Sequence, residues 1–214
     1  MQPTAILLDR RRLLGFVAVA AIPVAAKGAD LPSTGAAGTV ARLYSALLAG
    51  MKAGGAVGFQ RRFATLEPIV DQAFDLPTVL AVSVGPRWTG LPPDQQDRLL
   101  QAFRRYTVAS YVASFDGYAG QTFSVSPDVR AAGADQVVVQ TRILSAKGDA
   151  TELDYVMKQT PSGWKIVDVL ADGSISRVAV QRSDFRGLLA NGGSDALLAS
   201  LQRKTADLSG GNLA

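Results

Sequence analysis

The stretch 152–171 leaves the chain few choices. Leu153, Tyr155 and Met157 alternate with Glu152, Asp154 and Lys158, the two-residue period of a strand with one dry face. Thr160-Pro161-Ser162-Gly163 then carries turn chemistry: proline presets one backbone angle, and glycine accepts the positive φ that returns the chain. After the turn, Trp164, Ile166 and Leu170 fall on one face of a second strand and Lys165, Val167 and Val169 on the other. Asp168 shares the Trp164 face, so that face is either open at Asp168 or gives its carboxylate a partner. The expected element is an antiparallel hairpin.

Two more strands precede it. Phe123 and Val125 alternate between Gln121 and Pro127. Val137, Val139 and Ile143 then face one way, with Val138, Gln140, Arg142 and Leu144 facing the other. Lys147-Gly148-Asp149 turns the chain into the hairpin. Four successive strands with short turns predict an antiparallel meander.

Helical spacing dominates the rest. Val40, Leu43, Tyr44, Leu47 and Leu48 form one stripe, opened by Thr39 as N-cap and closed by Gly50. Phe59, Phe63 and Leu66 form a second, which Pro68 is expected to interrupt or kink. Asp75 caps a short third helix with Pro77 in its first turn and Gly85 at its end. The longest helix follows Pro92-Pro93-Asp94. Its first half is amphipathic, with Leu99, Phe103 and Tyr106 opposite Arg98, Gln101 and Arg105. Residues 106–115 (YTVASYVASF) carry no charge, and Val108, Tyr111, Val112 and Phe115 extend the apolar surface onto the formerly polar side. A helix apolar all round is buried all round, so this half is expected between two layers. Phe185, Leu188 and Leu189 make a further stripe ended by Asn191-Gly192-Gly193, and Ser194 caps a last helix carrying Leu197, Leu198 and Leu201. The predicted fold is α+β: a meander of four or slightly more strands with helices packed on one face. Residues 39–207 form a single domain and 208–214 a frayed tail.

The first residues read as an address. Arg10, Arg11 and Arg12 precede a short apolar run, and Val24-Ala25-Ala26 offers small residues for cleavage after Ala26. Residues 1–26 are therefore expected to be an export signal, by the general or the twin-arginine route, and 27–38 a flexible leading segment. This signal carries a net +2 of the chain's formal +4, so the charge does not argue for a nucleic-acid partner. The chain has no cysteine and no histidine. That removes disulfides, a thiol nucleophile and an imidazole base. A zinc site would have to be built from carboxylates alone, against that metal's preference for N and S ligands.

One resemblance covers most of the chain, from about Val40 to Leu201. Trp164-Lys165-Ile166-Val167-Asp168-Val169, then Asp172-Gly173-Ser174-Ile175-Ser176, then Arg182 and Phe185 opening a helix, together resemble the MlaC/toluene-tolerance family. Gly85-Pro86-Arg87-Trp88 before the longest helix fits the same pattern. The wording of residues 172–188 is most similar to the hopanoid-associated HpnM branch. Val180-Gln181-Arg182 departs from the family, many of whose members carry an aromatic residue before that arginine. The resemblance implies an NTF2-like/MlaC-like fold and a soluble, monomeric, cofactor-free periplasmic carrier of lipid, either phospholipid or hopanoid. It also implies partners: an inner-membrane ABC transporter complex and an outer-membrane donor or acceptor. For the HpnM branch an RND-type exporter is a further companion.

Two kinds of site can be drawn from the residues. A catalytic one, for an isomerase or dehydratase, would combine Asp168 with Asp172 or Glu152, and with Tyr155 as a donor. No pair among them has a spacing diagnostic of an active site. A binding one uses apolar side chains, since ligand pockets are concave and mostly apolar. The candidates on helices are Val79, Phe103, Tyr106, Tyr111, Phe115 and Phe185. On strands and their connections they are Phe123, Val139, Tyr155, Trp164, Ile166 and Ile175. Each alone is equally well explained as packed core, but an apolar surface on both sides of 106–115 exceeds what one sheet face demands. Each buried methylene of a lipid tail contributes about 0.8 kcal/mol, so a carrier must cover nearly all of them, leaving the head group at the mouth. Arg177 and Arg182 are the mouth candidates, because a guanidinium forks onto phosphate or carboxylate. An adaptor whose apolar groove takes a partner peptide is the third reading.

Overall fold

The computed structural model describes residues 31–213. Alternation in the sequence becomes a five-stranded antiparallel sheet in chain order, β1 (Thr122–Ala131), β2 (Gln136–Leu144), β3 (Ala150–Thr160), β4 (Gly163–Ala171) and β5 (Ile175–Ser176). Four strands are as expected. The fifth, two residues long, pairs Ile175 with Ala171 and Ser176 with Leu170. Leu153, Tyr155 and Met157 all point to the dry face and are buried, and Val139 and Val169 lie across from Tyr155 on either side.

Two bulges break the two-residue period. In β1 the register shifts between Val125 and Val129, so the strand passes Pro127, which has no N–H for the ladder, and continues to Ala131. In β4, Met157 pairs with Ile166 but Val156 pairs with Asp168, leaving Val167 as the extra residue. Beyond it the faces exchange: Ile166 and Val169 are the buried pair, and Leu170 is only half-buried. The expected Trp164–Ile166–Leu170 face therefore ends at Ile166.

The helices are α1 (Gly35–Ala53), α2 (Phe59–Ala73), α3 (Leu76–Val84), α4 (Pro93–Ser114) and α5 (Arg177–Ser209). They cover one face of the sheet, with α1 against β1, β2 and β4, and α2, α3 and α5 against β4. Helix α1 starts a turn earlier than Thr39 and runs past Gly50 to Ala53, with Gly54 capping its end. The backbone of Ser33 folds onto that first turn so closely that a Cβ on Gly38 would meet it at 2.7 Å. Thr39 is thus no cap; its hydroxyl donates to the Trp164 carbonyl at 3.4 Å. Pro68 does not stop α2, whose buried stripe continues through Val70 and Ala73. Asp75 caps α3 as expected, its carboxylate accepting from the Thr78 amide at 3.1 Å. Helix α5 is two helices joined at Gly192 and Gly193, which depart from helical geometry.

Most of the charge-free half of α4 is buried: Tyr106 through Val112 and Phe115 are buried, and Ala113 and Ser114 half-buried. Its neighbours are chiefly helices, namely α1, α2, α3 and α5. Both ends of the domain depart from expectation. Residues 35–38 are helical, with Ala36 and Ala37 buried, where a flexible leader was predicted. Residues 208–213, expected to fray, are docked: the Leu213 carbonyl accepts from Arg105 at 3.0 Å, the Asn212 carbonyl from Gln60 at 2.9 Å, and Leu208 and Leu213 lie against the core. Residues 1–26, expected from the sequence to be an export signal, lie outside the described residues. Among the described residues no helix is long and apolar enough to cross a membrane.

Candidate functional site

Two apolar cavities flank the buried half of α4, and Tyr111 is a wall of both. The inner one, about 50 Å³, lies between the sheet and helices α3, α4 and α5. Its apolar lining includes Phe74, Leu76, Val79, Phe103, Leu153, Val169, Ala171 and Val178. The polar groups on its wall are Thr107, Asp168, Arg177 and Gln181. The outer one, about 270 Å³, lies among α1, α2 and α4, with Leu47, Leu66, Val112 and Phe115 in its lining and Arg62 on its wall.

The structure separates the sequence-predicted candidates into groups. Val79, Phe103, Tyr111 and Arg177 meet at the inner cavity; Tyr111 and Phe115 line the outer one. Tyr155 and Val139 are fully buried beneath them on the sheet. Ile166 is also buried there, bridged to Phe74 at the end of α2. Phe123 packs its ring 4.9 Å from Tyr44 and 6.0 Å from Phe115. Phe185 sits edge-on to Phe103 at 6.3 Å, and Tyr106 is buried with the Lys204 ammonium 5.8 Å from its ring centre. Trp164 is half-buried against the core. Two candidates fall away. Ile175, on the short edge strand, is 52% exposed. Arg182 lies on the surface with its guanidinium over Gly85, 3.3 Å from where a Cβ would stand, and does not reach the inner cavity. Of the residues that were missed, Val169 and Ala171 follow the Val167 bulge, whose face exchange strict alternation hides, and Val178 lies in the first turn of α5.

The groups proposed for acid–base chemistry are occupied separately. The Asp168 carboxylate accepts from the Ser176 hydroxyl at 2.5 Å, the Val178 amide at 3.0 Å and the Val169 amide at 2.7 Å. Ser176 in turn accepts from the Ala179 amide at 3.0 Å, so these two side chains together cap α5. Glu152 pairs with Arg142 at 3.0 Å on the outer face of the sheet, and Asp172 sits in the β4–β5 turn at φ 51°. Among the described residues no cluster suits a metal ion.

A family model for the MlaC protein matches residues 41–203, about three-quarters of the chain. The chain belongs to the MlaC family. Among solved structures, it resembles a phospholipid-binding protein from Ralstonia solanacearum, determined in complex with a phospholipid. The TM-score is 0.71 at 23% identity, over 82% of this chain and 99% of that one. At that identity the likeness is one of fold. In this MlaC-family chain, the inner cavity and its surroundings hold polar groups that apolar packing alone would not require. The Tyr44 hydroxyl bonds Thr141 Oγ1 at 2.5 Å, and Thr141 donates onward to the Leu153 carbonyl, so Tyr44 must be the donor to Thr141. Burial pushes the Tyr44 phenol up to about 12, and burial raises Tyr111 and Tyr155 as well. The Tyr155 hydroxyl is buried without a hydrogen-bond partner, as are Arg177 Nε and Arg62 Nε.

Proposed function

We propose that this MlaC-family protein is an exported lipid carrier without covalent chemistry, whose cargo tails enter the inner cavity with the head group beside Arg177. The observation that carries the reading is the charge-free half of α4, buried from Tyr106 through Val112, with an apolar cavity against it. The Arg177 Nε, buried and unpartnered on that wall, gives an anionic head group a donor at no loss of an existing bond. A cavity of about 50 Å³ is far below the size of ligand pockets. Tails therefore make most of their own room by parting α3 and α5 from β4.

Phospholipid is the favoured cargo, because the solved relative carries one. The HpnM-like wording of residues 172–188 supports hopanoid as the second cargo. The basic and apolar start of the chain supports export to the periplasm. There the carrier, acting as a monomer, would shuttle lipid between an inner-membrane transporter complex and an outer-membrane donor or acceptor.

The test is lipid content per chain, by native mass spectrometry and organic extraction of protein purified from its own periplasm. About one lipid per chain is expected, and its mass separates phospholipid from hopanoid. Val79→Trp fills the inner cavity from α3 and should lower lipid content at least about tenfold, at a cost of about 1–3 kcal/mol in stability. Wild-type protein that is isolated empty and takes no lipid from phospholipid vesicles would overturn the carrier reading.

A further inference from the structure

We propose that the outer cavity among α1, α2 and α4 is a separate binding site for a single-chain anionic lipid, its carboxylate or phosphate held by Arg62. The inference does not depend on loading of the inner cavity. Three observations carry it. First, the outer cavity is already open at about 270 Å³, roughly five times the inner one. At about 30 Å³ per water this is on the order of nine waters, which suits a chain of medium length and is too small for a diacyl lipid. Leu47, Leu66, Val112 and Phe115 at its base are buried, while Ala49 and Thr65 at its rim are exposed. An apolar floor with a wet rim is the arrangement an amphiphile needs.

Second, the space is left open by Gly50. This residue lies inside α1, where glycine is less favourable than alanine. A Cβ there would meet nothing within 4 Å. No close approach or left-handed backbone requires glycine at this position; what its missing side chain leaves is the cavity.

Third, a cation stands on the wall with unspent donors. Among the described residues Arg62 forms no ion pair. Its Nη1 reaches the Val112 and Asp116 carbonyls only at 3.5 Å, the limit of hydrogen bonding. Its Nε is buried and unpartnered. A guanidinium so placed gains charge-assisted bonds from an anion that seats its chain on the apolar floor. Tyr111 separates this chain from cargo in the inner cavity.

The experiment titrates delipidated full-length protein with dodecanoate and with dodecanol, by calorimetry. Phospholipid content of the untreated protein is measured in parallel. Wild type should bind one dodecanoate. Gly50→Phe, which fills the cavity without a backbone clash, should weaken dodecanoate at least about tenfold and leave phospholipid content unchanged. Arg62→Leu should weaken dodecanoate about tenfold and dodecanol less than about twofold. Dodecanoate binding unchanged in Gly50→Phe would overturn the site, and equal losses for acid and alcohol in Arg62→Leu would overturn the anion anchor. If Gly50→Phe instead lowers phospholipid content, the cavity houses a tail of that lipid and the separate site is overturned. Wild type that binds dodecanoate but holds neither phospholipid nor hopanoid would count against the carrier reading and in favour of this one.

Discussion

Raising the pH from 9 to 11 is expected to remove about 4 kcal/mol of folding stability through three tyrosines. Tyr44, Tyr111 and Tyr155 are each buried with a phenol pKa raised by desolvation, Tyr44 to about 12 and Tyr155 well above its ordinary value. In the folded protein these hydroxyls keep their protons throughout the interval. In the unfolded chain they lose them from about pH 10. Above that pH the native state binds more protons, so stability falls as pH rises. Their contribution is complete below pH 10 and is lost as pH climbs toward each raised folded value, about 12 for Tyr44 and higher for the other two. Each pH unit above 10 costs about 1.4 kcal/mol per tyrosine, a large fraction of the stability of an ordinary domain. Urea unfolding at the two pH values measures the loss, and Tyr155→Phe should reduce it by about a third. At pH 7 the same variant should cost less than about 1 kcal/mol, because the hydroxyl it removes has no partner to lose. A Tyr155→Phe variant that loses as much stability as wild type between pH 9 and 11 would show that this phenol is not protected.

This tyrosine cluster marks where sequence reading stopped. Periodicity exposed the strands, because Leu153, Tyr155 and Met157 alternate cleanly with charged residues, and the loss of charge over 106–115 exposed the burial of 106–112. The α+β architecture followed from those two patterns and the helical stripes. Positions that depend on a single extra residue were not legible. The bulge at Val167 turns Val169 and Ala171 toward the inner cavity, and nothing in the run Trp164-Lys165-Ile166-Val167-Asp168-Val169 marks the exchange. Thr39 and Gly50 carried the right chemistry for helix ends, yet tertiary packing extended α1 past both. Pro68 likewise lies inside α2, not at its end. The outer cavity could not be found from apolar residues at all. It depends on what is missing at Gly50 and on the meeting of Arg62 with α4, a contact between residues 50 apart in the chain.

The Val167 bulge also predicts the consequence of losing Asp168. It sets this carboxylate at the start of α5, where it receives the Ser176 hydroxyl and the Val178 amide. These donors are partly buried and belong to a helix end whose first amides have no partner within the helix. Asp168→Ala should therefore cost about 3 kcal/mol, the scale of hydrogen bonds to a charged group plus a lost cap. For a chain of this size that is about 6–12 °C in Tm. Asp168→Asn keeps one acceptor oxygen and should cost about 1 kcal/mol. The lipid content of the two variants discriminates between roles for this residue. If Asp168 works by holding α5 against β4, Asn should retain near-normal cargo, whereas Ala should shed it as the α5 start loosens and Arg177 leaves the wall of the inner cavity. A general base would behave differently, with Asn as damaging to activity as Ala and neither variant necessarily unstable. Asp168→Ala as stable as wild type would remove this carboxylate from the group of side chains that fasten the cavity's outer wall.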